Sequence, residues 1–168
     1  ISYRDSAVNL RWASLLEKEL GMKPEAEGAI FSNKRWKADL YFPEKRVAVD
    51  INPTISHSTQ KPHPFYTPKT VKYHQERALD AEAQGWTLYQ IYDWTAPEKA
   101  VAQIRNLLRL NEQIVSARAC SVVRPSKKKV MAFLDEQHLQ GSDAVGSLYF
   151  GLEHGGELVQ VMTFSKAR

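Results

Sequence analysis

Between residues 6 and 20 (SAVNLRWASLLEKEL), apolar side chains recur at Ala7, Leu10, Ala13, Leu16 and Leu20. That spacing predicts an amphipathic helix, with Ser6 as its cap and Gly21 as its end. The polar stretch through Pro24 and Gly28 is given no element. Two short runs follow, residues 36–42 (WKADLYF) and 46–51 (RVAVDI), on either side of Pro43-Glu44-Lys45. Their alternation and β-branched content predict a hairpin. Residues 52–68 hold four of the eight prolines and read as a loop. A helix is expected over 70–84, stopped by Gly85, then a buried-type strand over 86–92 (WTLYQIY). Pro97 opens a further helix through Ala100, Ile104, Leu107 and Leu108.

Beyond residues 111–113 the pattern changes. Residues 114–123 look extended and 126–134 helical, with Ser126 as cap. Residues 148–152 and 158–164 predict a hairpin across Gly155-Gly156. The order helix, hairpin, helix, strand, helix predicts an α/β domain over 1–111, a mixed sheet flanked by helices. Residues 112–168 form a small α+β appendage, too short for a large core of its own. A chain that opens on Ile1 and ends on Lys166-Ala167-Arg168 directly after a strand-like run is expected to be a fragment.

Composition narrows the function classes. With 43% hydrophobic and 25% charged residues among 168, the chain supports a packed core. No apolar run reaches the ~18–20 residues of a membrane span, so no membrane partner is expected. Cys120 is the single cysteine. It excludes an internal disulfide and a thiolate zinc site, and points to a reducing cytoplasm. Lys and Arg exceed Asp and Glu by 23 to 19, a formal +4 that permits a polyanion partner without identifying one.

The candidate chemistry lies around the first hairpin. Asp39 (Ala38-Asp39-Leu40) and Asp50 (Val49-Asp50-Ile51) are carboxylates inside apolar strands, where an unpaired charge is expensive. Facing each other on adjacent strands, they would converge on one hard divalent cation; otherwise each pairs with a local Lys or Arg at the sheet edge. His57 in the following loop and His74 in the next helix could serve as base, acid or ligand, although a single histidine is more commonly structural. Lys61, Lys69, Lys72 and Arg77 give this region a positive flank. Lys127, Lys128 and Lys129 form the densest positive run, either a solvated helix start or a phosphate contact.

The spacing Lys37-x-Asp39 … Asp50-x-Asn52 resembles a PD-(D/E)xK nuclease hairpin with Asn52 at the lysine position. Taken together, residues 37–43 (KADLYFP), 46–57 (RVAVDINPTISH) and 73–92 (YHQERALDAEAQGWTLYQIY), with Asp93-Trp94 after them, resemble one group of nucleases. These are the very-short-patch repair endonucleases and the phage-type EDxHD homing endonucleases related to them. Pieces of 117–168, ending in Met162-Thr163-Phe164, are also similar to the phage proteins.

The resemblance implies a metal-dependent DNA endonuclease using Mg²⁺ or Mn²⁺. It implies a metal-binding Asp39, a water-activating His57, a supporting His74, and Asp50 and Asn52 completing the site. For the acid of the N-terminal helix it points to Glu17, then Glu19, with Asn9 as an alternative occupant of that column. Double-stranded DNA is the expected partner, gripped by Lys61, Lys69, Lys72, Arg77 and Lys127–Lys129, with a homodimer allowed. The rival expectation is a non-catalytic DNA-binding or regulatory protein on a degenerate nuclease fold.

Overall fold

A computed structural model describes residues 7–53, 69–138, 141–142 and 146–165. The chain divides into two compact units, Ile1–Leu110 and Asn111–Arg168.

In the first unit, α1 (Ala7–Leu20) is followed by strands β1 (Glu25–Gly28), β2 (Ala38–Phe42) and β3 (Val47–Asn52). Helix α2 (Tyr73–Ala83), strand β4 (Thr87–Tyr92) and helix α3 (Pro97–Leu107) complete it. The sheet order is β1-β2-β3-β4. The first two pairings are antiparallel and β3 with β4 is parallel, so the sheet is mixed. A parallel pair needs a crossover connection, and α2 lies within it.

The period-2 alternation of β3 sorts its side chains between two cores. Val47, Val49 and Ile51 pack with Leu16 and Leu20 of α1 and with Ala100, Val101 and Ile104 of α3. Ala48 packs instead with Ala81 of α2, Ile30 and Phe31. The sheet is therefore covered on both faces, by α1 and α3 on one and α2 on the other, and every residue of β3 is buried. A strand buried on both sides has no solvent for its polar members, which makes Asp50 and Asn52 the two positions that need an explanation.

Strand β1 runs where the sequence pattern predicts no element. Glu-Ala-Glu-Gly lacks the β-branched residues that signal a strand. Tertiary contacts with β2 supply what propensity does not: Tyr41 Oη donates to a Glu25 carboxylate oxygen at 2.6 Å. Gly28 sits flat against the Tyr41 ring, where a Cβ would approach to 2.8 Å. At the other end of the hairpin, Arg46 donates to the carbonyls of Gln84 and Gly85 at 2.7 and 2.9 Å. This ties the β2–β3 turn to the end of α2, where Gly85 takes the positive φ of 76° that a helix stop favours.

The second unit contains β5 (Ser121–Val123), α4 (Lys127–Gln137), β6 (Leu148–His154) and β7 (Glu157–Phe164). Its antiparallel sheet has the order β5-β6-β7. Gly155 and Gly156 both have positive φ, 59° and 86°, as the tight two-residue hairpin turn requires. Ser126 caps α4 by accepting from the Lys129 amide. Among the described residues no helix is long and apolar enough to cross a membrane.

Candidate functional site

The antiparallel register pairs Leu40 with Val49, Tyr41 with Ala48 and Phe42 with Val47. Extended by one step it would set Asp39 opposite Asp50. The backbone ladder does not continue to that step. Instead, the Ile51 N–H donates to Asp39 Oδ2 at 2.7 Å, so a side chain takes the place of a strand carbonyl. Asp39 Oδ1 accepts from the Asn9 side-chain amide of α1 at 3.2 Å.

Burial of the Asp39 carboxyl pushes its pKa from 3.8 up to about 6. The Ile51 N–H opposes this, the nearby Asp50 charge adds to it, and Asn9 and Arg77 oppose it more weakly. Asp39 is thus an anion that the surrounding protein undercompensates.

Asp50 is in the opposite situation. Its carboxylate accepts from Arg77 Nε at 2.7 Å and Arg77 Nη2 at 2.8 Å, a two-point pair. Arg77 Nη2 also donates to the Lys37 carbonyl at 2.8 Å, and the guanidinium lies over Phe31, Trp36 and Tyr73 at 4.2, 5.5 and 5.7 Å. The sequence reading puts Arg77 on the DNA-binding surface, and the structure corrects that. It is 5% exposed, because three residues after His74 and four before Ala81 it falls on the stripe of α2 that faces the sheet. The sequence carries this signal: a buried-strand Asp requires a cation, and Arg77 is the one at a core-facing position of the crossover helix.

Asn52 is 1% exposed, and among the described residues neither its amide nitrogen nor its oxygen has a hydrogen-bond partner. Leaving such a group unsatisfied is costly.

The parallel register extends the polar row onto β4, aligning Asp50 with Gln90 and Asn52 with Tyr92. Gln90 Nε2 donates to the His74 carbonyl at 3.0 Å, and Tyr92 Oη donates to Gln90 Oε1 at 2.8 Å. The His74 ring stands edge-on to Tyr73 and Tyr92, with centroids 5.1 and 5.7 Å away. Asp50, Asn52, Gln90, Tyr92 and His74 therefore belong to one neighbourhood under α2, which Asp39 joins through the Ile51 N–H. Gln90 and Tyr92 escape a reading of the sequence because the parallel pairing of their strand has no local signature, and only that register places them in the row.

The remaining candidates fall elsewhere. Glu17 is exposed on α1, and Asn9 is the helix residue that meets Asp39. Eight residues separate the two, ~12 Å along the axis and roughly 80° around it, so Glu17 does not share the Asn9 position. Glu19 is likewise exposed, beside Lys18. Lys69 lies over the Tyr73 ring at 4.8 Å, and Lys72 is exposed at the start of α2. Lys127, Lys128 and Lys129 are exposed in the first turn of α4, in the second unit. His57 and Lys61 lie outside the described residues.

Among the described residues no three His, Cys, Asp or Glu side chains form a metal-binding group. An apolar groove on the second unit's sheet is lined by Val122, Phe150, Leu152, Met162 and Phe164 among others, and carries no group suited to acid–base work. No known family, curated protein or solved structure is matched by the chain.

Proposed function

We propose that the first unit is a PD-(D/E)xK-like nuclease domain acting on DNA phosphodiesters with Mg²⁺ or Mn²⁺. The observation that carries this reading is the undercompensated Asp39 carboxylate, which accepts from the Ile51 N–H next in the chain to the unpartnered Asn52. A partly buried anion with a pKa near 6 and an orphan amide one residue beyond its backbone donor fit a hard cation and its water, for which oxygen donors suffice. Asp39 would hold the ion. Asn9 would assist through its amide oxygen after a half-turn of the side chain, and Asn52 would orient water or phosphate. When bound, the ion supplies charge that polarises the phosphoryl group and stabilises the leaving oxygen.

The chain's own groups account for the rest. Arg77 neutralises Asp50, so the two strand acids do not compete as adjacent free charges. His57 takes the proton of the attacking water, and His74, held by its carbonyl to Gln90, offers a second acid, base or phosphate donor. The lysines at 61, 69, 72 and 127–129 hold the backbone.

A second reading is favoured by one specific observation. Asn9 stands where an acid would otherwise approach Asp39, and Asp50 is committed to Arg77, so a single acid is left to bind metal. A domain of this kind could bind DNA without cutting it.

Incubation of the purified chain with supercoiled plasmid and Mg²⁺ or Mn²⁺ separates the two. Nicking or cutting that is abolished by Asp39→Ala and by His57→Ala supports the endonuclease. Salt-sensitive binding with no cleavage under either metal supports the binding protein, and cleavage that survives both substitutions overturns the residue roles.

A further inference from the structure

Trp94 follows β4 and is 73% exposed, an unusual position for the largest apolar side chain. It is also held in place. The indole stacks on Tyr92 with centroids 4.8 Å apart and ring planes inclined by only 4°. The turn beneath it is closed twice: the Thr95 N–H donates to the Tyr92 carbonyl at 2.9 Å, and the Tyr92 N–H donates to Thr95 Oγ1 at 3.1 Å. Tyr92 is anchored in turn through Gln90 to the His74 carbonyl of α2. One face of the indole is covered by Tyr92, and the high exposure leaves the other to solvent.

We infer that Trp94 is a stacking platform for an unpaired nucleobase, which makes single-stranded DNA a preferred ligand of this site. A flat, pre-positioned π-surface suits a base, because every base has a π-face and no rotamer of the platform needs freezing on binding. The position agrees with that role. Tyr92, on which the indole stacks, is the register partner of Asn52, the buried amide that lacks a partner among the described residues. Lys69, over Tyr73, and the exposed Lys72 supply positive charge at the start of the helix that carries His74. A chain of ring contacts runs from Lys69 through Tyr73, His74 and Tyr92 to Trp94. An exposed aromatic linked in this way to a cation fits a strand of nucleic acid better than an apolar protein surface.

This inference rests on the nucleic-acid reading of the site, but its test is independent of cleavage. In EDTA, fluorescence anisotropy of the full chain is measured with a labelled 12-nucleotide single strand, the matching blunt duplex and an abasic strand of equal length. Wild type should bind the single strand more tightly than the abasic strand. Trp94→Ala should weaken single-strand binding by about five- to a hundred-fold and leave duplex binding within two-fold, and Trp94→Phe should retain most of the affinity. Equal affinity of wild type for abasic and normal strands would overturn the platform, as would an unchanged Trp94→Ala affinity. Loss of a dimer in Trp94→Ala, with strand affinity unchanged, would identify the indole as a self-association contact and overturn it too. Absence of binding to any of the three at low salt would overturn both this inference and the nuclease reading. Duplex binding that is indifferent to Trp94, with no single-strand binding, would overturn the inference alone.

Discussion

Asp50 and Arg77 meet through two hydrogen bonds of 2.7 and 2.8 Å, with both side chains almost wholly removed from water. The pair joins β3 to the crossover helix and fixes the face of α2 that lies on the sheet. Removing one partner leaves a buried, uncompensated charge, which costs about 3–5 kcal/mol. Arg77→Met and Asp50→Leu should each destabilise by roughly that amount in urea denaturation. The double replacement should recover most of it, because two apolar groups need no counter-ion. A double variant no more stable than either single variant would show that the pair does more than neutralise itself.

The Asp39 carboxyl makes stability pH-dependent in an unusual direction. Its folded pKa of about 6 lies above the ordinary 3.8, so between these values the folded state binds more proton than the unfolded one. Stability contributed by this group therefore falls as pH rises from about 4 to about 6, and the deficit persists above that, on the order of 2–3 kcal/mol. Asp39→Asn keeps an oxygen for the Ile51 N–H while removing the charge. It should be more stable than wild type at pH 8, with the gain shrinking toward pH 4. Equal stability differences at both pH values would contradict a raised pKa.

How far this site could be read from sequence differs residue by residue. The β2–β3 hairpin, the α2 stop at Gly85 and the turn at Gly155-Gly156 are legible because each follows from local rules: alternation, a positive φ, a two-residue turn. Asp39 and Asp50 stand out because a charge in an apolar strand is conspicuous in one dimension. Which of the two acids the core-facing cation of α2 neutralises is not legible. Whether a buried acid is paired depends on which face of α2 meets the sheet, and that sets Arg77 against Asp50 rather than against DNA. Asn9 is distinguishable from Glu17 only by which turn of α1 meets Asp39. Strand β1 carries almost no signal of its own, since it exists through Tyr41.

Asn52 offers a test that separates structural cost from function. Its buried amide has no partner among the described residues, so an apolar side chain of similar shape relieves an unsatisfied donor and acceptor. Asn52→Leu should stabilise the metal-free protein by about 1–3 kcal/mol in denaturant and weaken metal-dependent cleavage. A destabilised variant would mean that the amide is satisfied in solution by something the folded chain retains.

A helix start that holds three lysines and no acid opposes its own dipole, because cations there face the positive end of the helix. Lys127, Lys128 and Lys129 are all exposed, so the charge serves no buried core. Replacing all three by Gln should leave the thermal midpoint unchanged or slightly raised, since the unfavourable end charges are gone. If the run touches phosphates, the same variant should bind duplex DNA more weakly. Its log affinity should also depend less steeply on log salt, by about 0.9 for each phosphate no longer neutralised. Titrations of wild type and variant at several salt concentrations measure that slope directly. An unchanged slope would assign the run to solvent and leave the grip on DNA to the lysines around α2.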